Sequence, residues 1–237
     1  MSVSLWLCLA FSVGFTFESI FGFGGGIVAY SILAFLFDIK SVVLVGLYVG
    51  TISSFVVFAT SIKYIDYKLI KNNLLYIFAG VIVGALFFKF LPSKILIRIY
   101  SISLMLIALR ALLFANFIVN SRLAKYIFGF GGVIQGALGI GGPFLALGLK
   151  SQNVNKTVFR ASLSAIFCIV NIYRYIQLSL TGAMPWNFFT KFWFVPIPVM
   201  FSLWIGYQFH KKIPQHKFDR HIYIGILVSS IAFLVLF

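Results

Sequence analysis

Acidic residues are almost missing from this chain. Only four Asp and Glu stand among 237 residues, and charged residues of both signs make up 10%, whereas a soluble domain carries about 25% to cover its surface. A water-soluble globular protein is excluded. Cysteine is nearly as scarce. Cys8 and Cys168 lie far apart inside apolar stretches, with no CxxC and no neighbouring His, so neither a disulfide framework nor a zinc site is expected. Collagen-like and Gly/Ser repeats are missing too, and 29 Phe exclude a disordered chain. What fills the sequence instead is apolar: hydrophobic residues reach 62% and the mean hydropathy is +1.07. An all-α, polytopic membrane protein follows.

Nineteen Lys and Arg against four acids give a net charge of +15. In a soluble protein that excess would point to nucleic acid, but here most of the basic residues fall in short polar breaks between apolar segments. Positive charge in that position orients spans and meets anionic lipid headgroups. No basic surface with interleaved base-stacking aromatics is present, so membrane lipid, not nucleic acid, is the expected partner. The first six residues carry no Lys or Arg, and the apolar stretch after them exceeds a signal-peptide core, so no cleaved signal is expected.

Eight apolar segments run at approximately 3–37, 41–62, 69–88, 95–118, 124–149, 157–180, 187–209 and 218–237. Seven have lengths suited to a hydrocarbon core of about 30 Å. The first is too long: as one helix, its 35 residues would extend about 52 Å at 1.5 Å per residue. It carries Gly22, Gly24, Gly25 and Gly26 near its middle, which predicts two helical pieces joined by an unwound turn. Such a turn is tolerated at membrane depth where protein or a water-filled cavity surrounds it.

The chain also repeats itself. Residues Glu18 to Gly26 (ESIFGFGGG) align with Gln135 to Pro143 (QGALGIGGP) at an offset of 117, which also sets Gly14 on Gly131. A second match pairs 89–98 with 211–220 at an offset of 122 and brings Gly84 onto Gly206. Two membrane repeats, 1–120 and 121–237, are expected. Secondary transporters are often built this way, with the substrate at the repeat interface near the midplane. Charge counts fit parallel and inverted halves equally, both with the amino terminus outside. The overlong first segment favours inversion.

Several residues carry candidate chemistry. A helix that starts inside the membrane, as Gly22, Gly24, Gly25, Gly26 and Gly139, Gly141, Gly142, Pro143 suggest, points free N–H groups and a positive dipole end into its turn, which suits an anion. Close helix packing through small residues is the competing reading. Glu18 is the one acid deep in an apolar segment and aligns with the neutral Gln135. It fits proton coupling or a structural hydrogen bond equally. Arg160, Ser164, Asn171 and Arg174 share one helix face at spacings of 4, 7 and 3, as donors along an anion route or as side chains reaching to the interfaces. Arg110 reads as interfacial. Pro196 and Pro198 read as a packed kink. His210, His216 and His221 have spacings that fit no metal pair. No hydrolase constellation forms. No metal, cofactor or enzyme activity is expected.

At the paired Gly-rich signatures, Glu18 to Gly26 and Gln135 to Pro143, the chain resembles the sulfite exporter TauE/SafE family of bacterial membrane permeases. The second copy, Gly-Ile-Gly-Gly-Pro143, is the more typical. The first departs in holding Gly26 at the proline position and in carrying Glu18. The resemblance implies a multi-pass permease of the bacterial inner membrane that moves small inorganic or organosulfonate anions, sulfite and sulfoacetate among them. With the reading from residues, it gives alternating access around the two Gly turns, with Gln135, Asn171, Arg160 and Arg174 as further anion contacts and Glu18 as the proton-coupling group. The competing reading is a non-transporting membrane subunit or scaffold. Homo-oligomerisation stays open.

Overall fold

Local chemistry sets the helix boundaries in the computed structural model of the chain. The structure describes residues 3–33, 36–90, 120–182, 184 and 187–214, with isolated positions between 92 and 109 and at 224, 227 and 231. Most of the apolar segments 95–118 and 218–237, together with Arg110, His216 and His221, lies outside the described residues.

Helix α1 (Val3–Phe21) and helix α2 (Gly25–Leu33) share the long first apolar segment. Next come α3 (Ile39–Ser61), a single 3-10 turn (Ile62–Tyr64) and α4 (Tyr67–Phe90). Helices α5 (Ser121–Leu138) and α6 (Gly142–Lys150) share another segment. Then follow α7 (Lys156–Leu180), the short α8 (Phe188–Phe192) and α9 (Pro196–Lys212). Helix starts at exposed loops use local polar caps, which satisfy otherwise unpaired N–H groups. The Asp38 carboxylate accepts from Ser41 N–H at 3.1 Å, the Asn120 side chain from Leu123 N–H at 2.8 Å, and the Asn155 side chain from Val158 N–H at 2.9 Å. Pro196 opens α9 one turn after α8 ends, because a proline costs nothing where the first N–H is unpaired anyway.

Among the described residues, four helices are long and apolar enough to cross a membrane: Val3–Phe21, Lys40–Tyr64, Tyr67–Phe88 and Lys156–Leu180. Large apolar side chains such as Leu75, Phe90 and Leu180 stand mostly exposed on the helix surfaces. Water would penalise such surfaces, whereas hydrocarbon does not.

The chain forms two compact units, Met1–Asp66 with Ala161–Lys211, and Tyr67–Arg160 with Lys212–Phe237. Each draws on both halves of the sequence. In the first unit α1 packs on α2 and α2 on α3, around Phe11, Phe15, Tyr30 and Leu33. Helix α9 joins them through α1. The Ser19 hydroxyl donates to the Leu203 carbonyl at 2.7 Å, and His210 Nδ1–H donates to the Ile20 carbonyl at 2.7 Å.

The second unit is organised around a glycine seam. A Cβ placed on Gly80 or Gly84 of α4 would collide with the α5 backbone at Gly129 and Val133, and one on Gly132 or Gly136 of α5 with the α4 backbone at Ile77 and Val81. Two helices can come this close only where neither carries a side chain. In lipid, with no hydrophobic force between helices, such backbone contact is a principal source of association. Helix α6 then folds back along α5, with Gly148 set against the Phe128 ring.

Candidate functional site

Among the described residues, each unit holds a helix that starts at a glycine run inside an apolar segment. In the first unit α1 stops at Phe21, Gly22 and Gly24 take φ values of 88° and 95°, and α2 starts at Gly25. Only glycine adopts this left-handed region cheaply, so the run both ends one helix and turns the chain into the next. In the second unit α5 stops at Leu138, Gly139 takes φ 75°, and α6 starts at Gly142 with Pro143 in its first turn.

The preceding helix provides the cap in both cases. Glu18 Oε2 accepts from Gly25 N–H at 3.1 Å, and its other oxygen, Oε1, accepts from the Ser53 hydroxyl of α3 at 3.3 Å. Gln135 Oε1 accepts from Gly141 N–H at 2.8 Å. The surrounding backbone bonds correspond at the offset of 117. Gly22 N–H donates to Glu18 O at 2.6 Å and Gly139 N–H to Gln135 O at 3.0 Å; Val28 N–H donates to Gly24 O at 3.1 Å and Leu145 N–H to Gly141 O at 3.2 Å. Burial distinguishes the turns, since Gln135 is buried while Glu18 is only partly so.

The helix leading into each break is also met closely by a glycine of another helix. A Cβ on Gly84 of α4 would collide with the Val133 carbonyl, and one on Gly206 of α9 would lie 2.6 Å from the Thr16 carbonyl. Val133 follows Thr16 by 117 positions and Gly206 follows Gly84 by 122.

Further polar groups gather in the first unit. Asn171 and Arg174 of α7 are buried, as are Ser53 and Ser54 of α3. Asn171 Nδ2 lies 3.6 Å from the position a Cβ would take on Gly50. Tyr30 of α2, fully enclosed, has its hydroxyl end against Gly46 of α3 and interacts electrostatically with Arg174 and Glu18. Arg160 is buried too, but at the α7 start that belongs to the second unit, where Lys156 Nζ also donates to the Ile213 carbonyl at 2.6 Å. The structure thus brings Glu18, Gly25, Asn171 and Arg174 into one unit and Gln135, Gly141, Gly142, Pro143 and Arg160 into the other.

Sequence reasoning missed Tyr30, Ser53 and the His210 bond to Ile20. An aromatic in an apolar run reads as core, and a serine 35 positions from its acceptor gives no local sign. Among the described residues, no group of three or more His, Cys, Asp or Glu could hold a metal ion.

Apolar helices long enough to span, with large apolar side chains on their outer faces, describe a membrane-embedded protein. The family model for the sulfite exporter TauE/SafE matches residues 6–233, nearly the whole chain, and the protein belongs to that family. It is therefore a multi-pass membrane protein of a family of transporters for sulfur anions. No curated protein and no solved structure matches it.

Proposed function

We propose that the protein is a secondary permease for small sulfur oxyanions, sulfite or an organosulfonate, of the bacterial inner membrane. It works by alternating access around a midplane site lined by the turns Gly22–Gly26 and Gly139–Pro143, with Gln135, Asn171, Arg160 and Arg174 as further contacts. Eight spans form two repeats, 1–120 and 121–237, in inverted orientation.

The observation that carries this reading is the matched pair of capped helix starts. Each directs N–H groups and a positive dipole end into a glycine turn, and the helix leading into each is clasped by a glycine of the other sequence half. The backbone bonds keep the register of 117 and the clasps pair residues at 117 with residues at 122, which supports a duplicated unit of the kind transporters use. Glu18 supplies the one carboxyl at these turns. A carboxyl that is protonated while the anion is bound, and ionised when the site empties, moves a proton with each anion. Gln135 cannot do this, so coupling resides in the first turn alone.

The test is flux in proteoliposomes, with sulfite, sulfoacetate, sulfate and phosphate offered under imposed pH gradients. Sulfite or sulfoacetate should move faster than through empty liposomes, and an inward proton gradient should accelerate uptake. A folded, reconstituted protein that moves none of the four would make it a non-transporting membrane subunit.

A further inference from the structure

Among the described residues Arg174 is the largest side chain fully enclosed, with 2% of its surface exposed. Its Nη2 has no hydrogen-bond acceptor among the described residues. A charged donor left unsatisfied in a low-dielectric interior is strongly disfavoured. Folded proteins keep such a group where something outside the chain satisfies it.

The surroundings narrow what that something is. Guanidinium offers only donors, so its complement is an acceptor, and its positive charge selects an anion over a neutral hydroxyl compound. Arg174 and Glu18 both lie within electrostatic range of Tyr30. The hydroxyl end of Tyr30 sits where Gly46 has no side chain; any larger residue there would collide with it. Three elements converge on one spot: α2 brings Tyr30, α3 makes room with Gly46 and Gly50, and α7 brings Arg174 with Asn171 one turn earlier. Glu18 Oε2 is already occupied by Gly25 N–H and Oε1 by Ser53.

We infer that Arg174 Nη2 and the Tyr30 hydroxyl form the charged subsite for one oxygen of the transported oxyanion, inside the first unit. This rests on the permease reading above and adds a residue, Tyr30, and an asymmetry to it. The glycine turns occur twice, but the guanidinium–phenol pair occurs once. At the positions matching Tyr30 and Arg174 at the offset of 117, the chain has Leu147 and no Arg: residue 57, the counterpart of Arg174, is Val57. Within the first unit the anion therefore meets a guanidinium that the matching position of the other half does not repeat.

Binding to the full chain in nanodiscs, measured by titration calorimetry with sulfite and with methanesulfonate, tests this. Arg174→Met should weaken binding by about thirtyfold, the loss expected for a charge-assisted hydrogen bond. It should also raise the melting temperature of the anion-free protein, because it removes a buried unsatisfied charge. A purely structural arginine would lower it. Tyr30→Phe keeps the ring and should weaken binding by about fivefold, while Tyr175→Phe, at a ring that packs on Phe189 instead, should change nothing. If Arg174→Met does not fold, Tyr30→Phe decides: a loss above roughly threefold supports the subsite and a smaller one overturns it. Wild-type protein that binds either anion while both variants bind as well as it does overturns the subsite and leaves the permease reading standing. Wild-type protein that neither binds nor moves either anion overturns both.

Discussion

The two interrupted helix pairs solve the same problem with different side chains. At the second turn a buried amide, Gln135, caps Gly141 at 2.8 Å. At the first a partly buried carboxyl, Glu18, caps Gly25 at 3.1 Å and also takes the Ser53 hydroxyl. An amide and a carboxyl are nearly the same size, and both present an oxygen to the N–H, so the cap alone does not require the acid. What the acid adds is a charge that can come and go. The neutral turn is built for rigidity and the acidic one retains adjustability, and the glycines around them differ in the same sense.

The largest effects should come from crowding the rigid turn. In Gly141→Ala the new Cβ would meet the Gly131 carbonyl and lie 2.7 and 2.8 Å from Gln135 Cβ and N. These are atoms that cannot step aside, and the cost should be about 3 kcal/mol, the upper end of overpacking. Gly25→Ala meets mainly the Glu18 carboxyl, at 2.6 Å. That side chain can swing away, so its loss should stay near 1 kcal/mol after the helix-propensity gain of alanine. Thermal unfolding in one detergent measures both, and equal losses would erase the distinction between the turns.

Removing the caps comes next. Gln135→Leu leaves the buried Gly141 N–H without an acceptor and should cost about 2 kcal/mol, whereas Glu18→Gln keeps an acceptor for Gly25 and should cost less than about 1 kcal/mol. Chemical denaturation compares them directly. The smallest effect should be that of Ser53→Ala, which removes one 3.3 Å bond to Glu18. It should lower stability by about 0.5 kcal/mol, measured by the same denaturation.

Much of the frame is visible in the sequence because it depends on local chemistry. The helices stop at glycine runs that stand out in an apolar chain, Pro143 sits where a helix start accepts proline, and Glu18 is conspicuous as the lone acid of its segment. Tertiary pairing is not local, and it was not legible. Nothing near Tyr30 announces Arg174, which lies 144 positions away, and nothing near Gly206 announces Thr16. The compact units take pieces from both sequence halves for the same reason: a repeat is defined by ancestry along the chain, a unit by which faces fit together. The spacing of Arg160 and Arg174 sets them on one helix face, as donors along one route or as side chains reaching to the interfaces, yet the helix passes from one unit into the other between them. Spacing could not show that boundary.

The central claim is that the acidic turn couples protons to anion movement while the neutral turn does not. Sulfite flux into proteoliposomes, followed across internal and external pH for the wild type and Glu18→Gln, addresses it most directly. The account predicts that the wild type accelerates under an inward proton gradient, and that Glu18→Gln carries sulfite at a rate indifferent to the gradient. A Glu18→Gln protein that is folded and keeps the wild-type pH profile would contradict it and leave Glu18 as a structural cap.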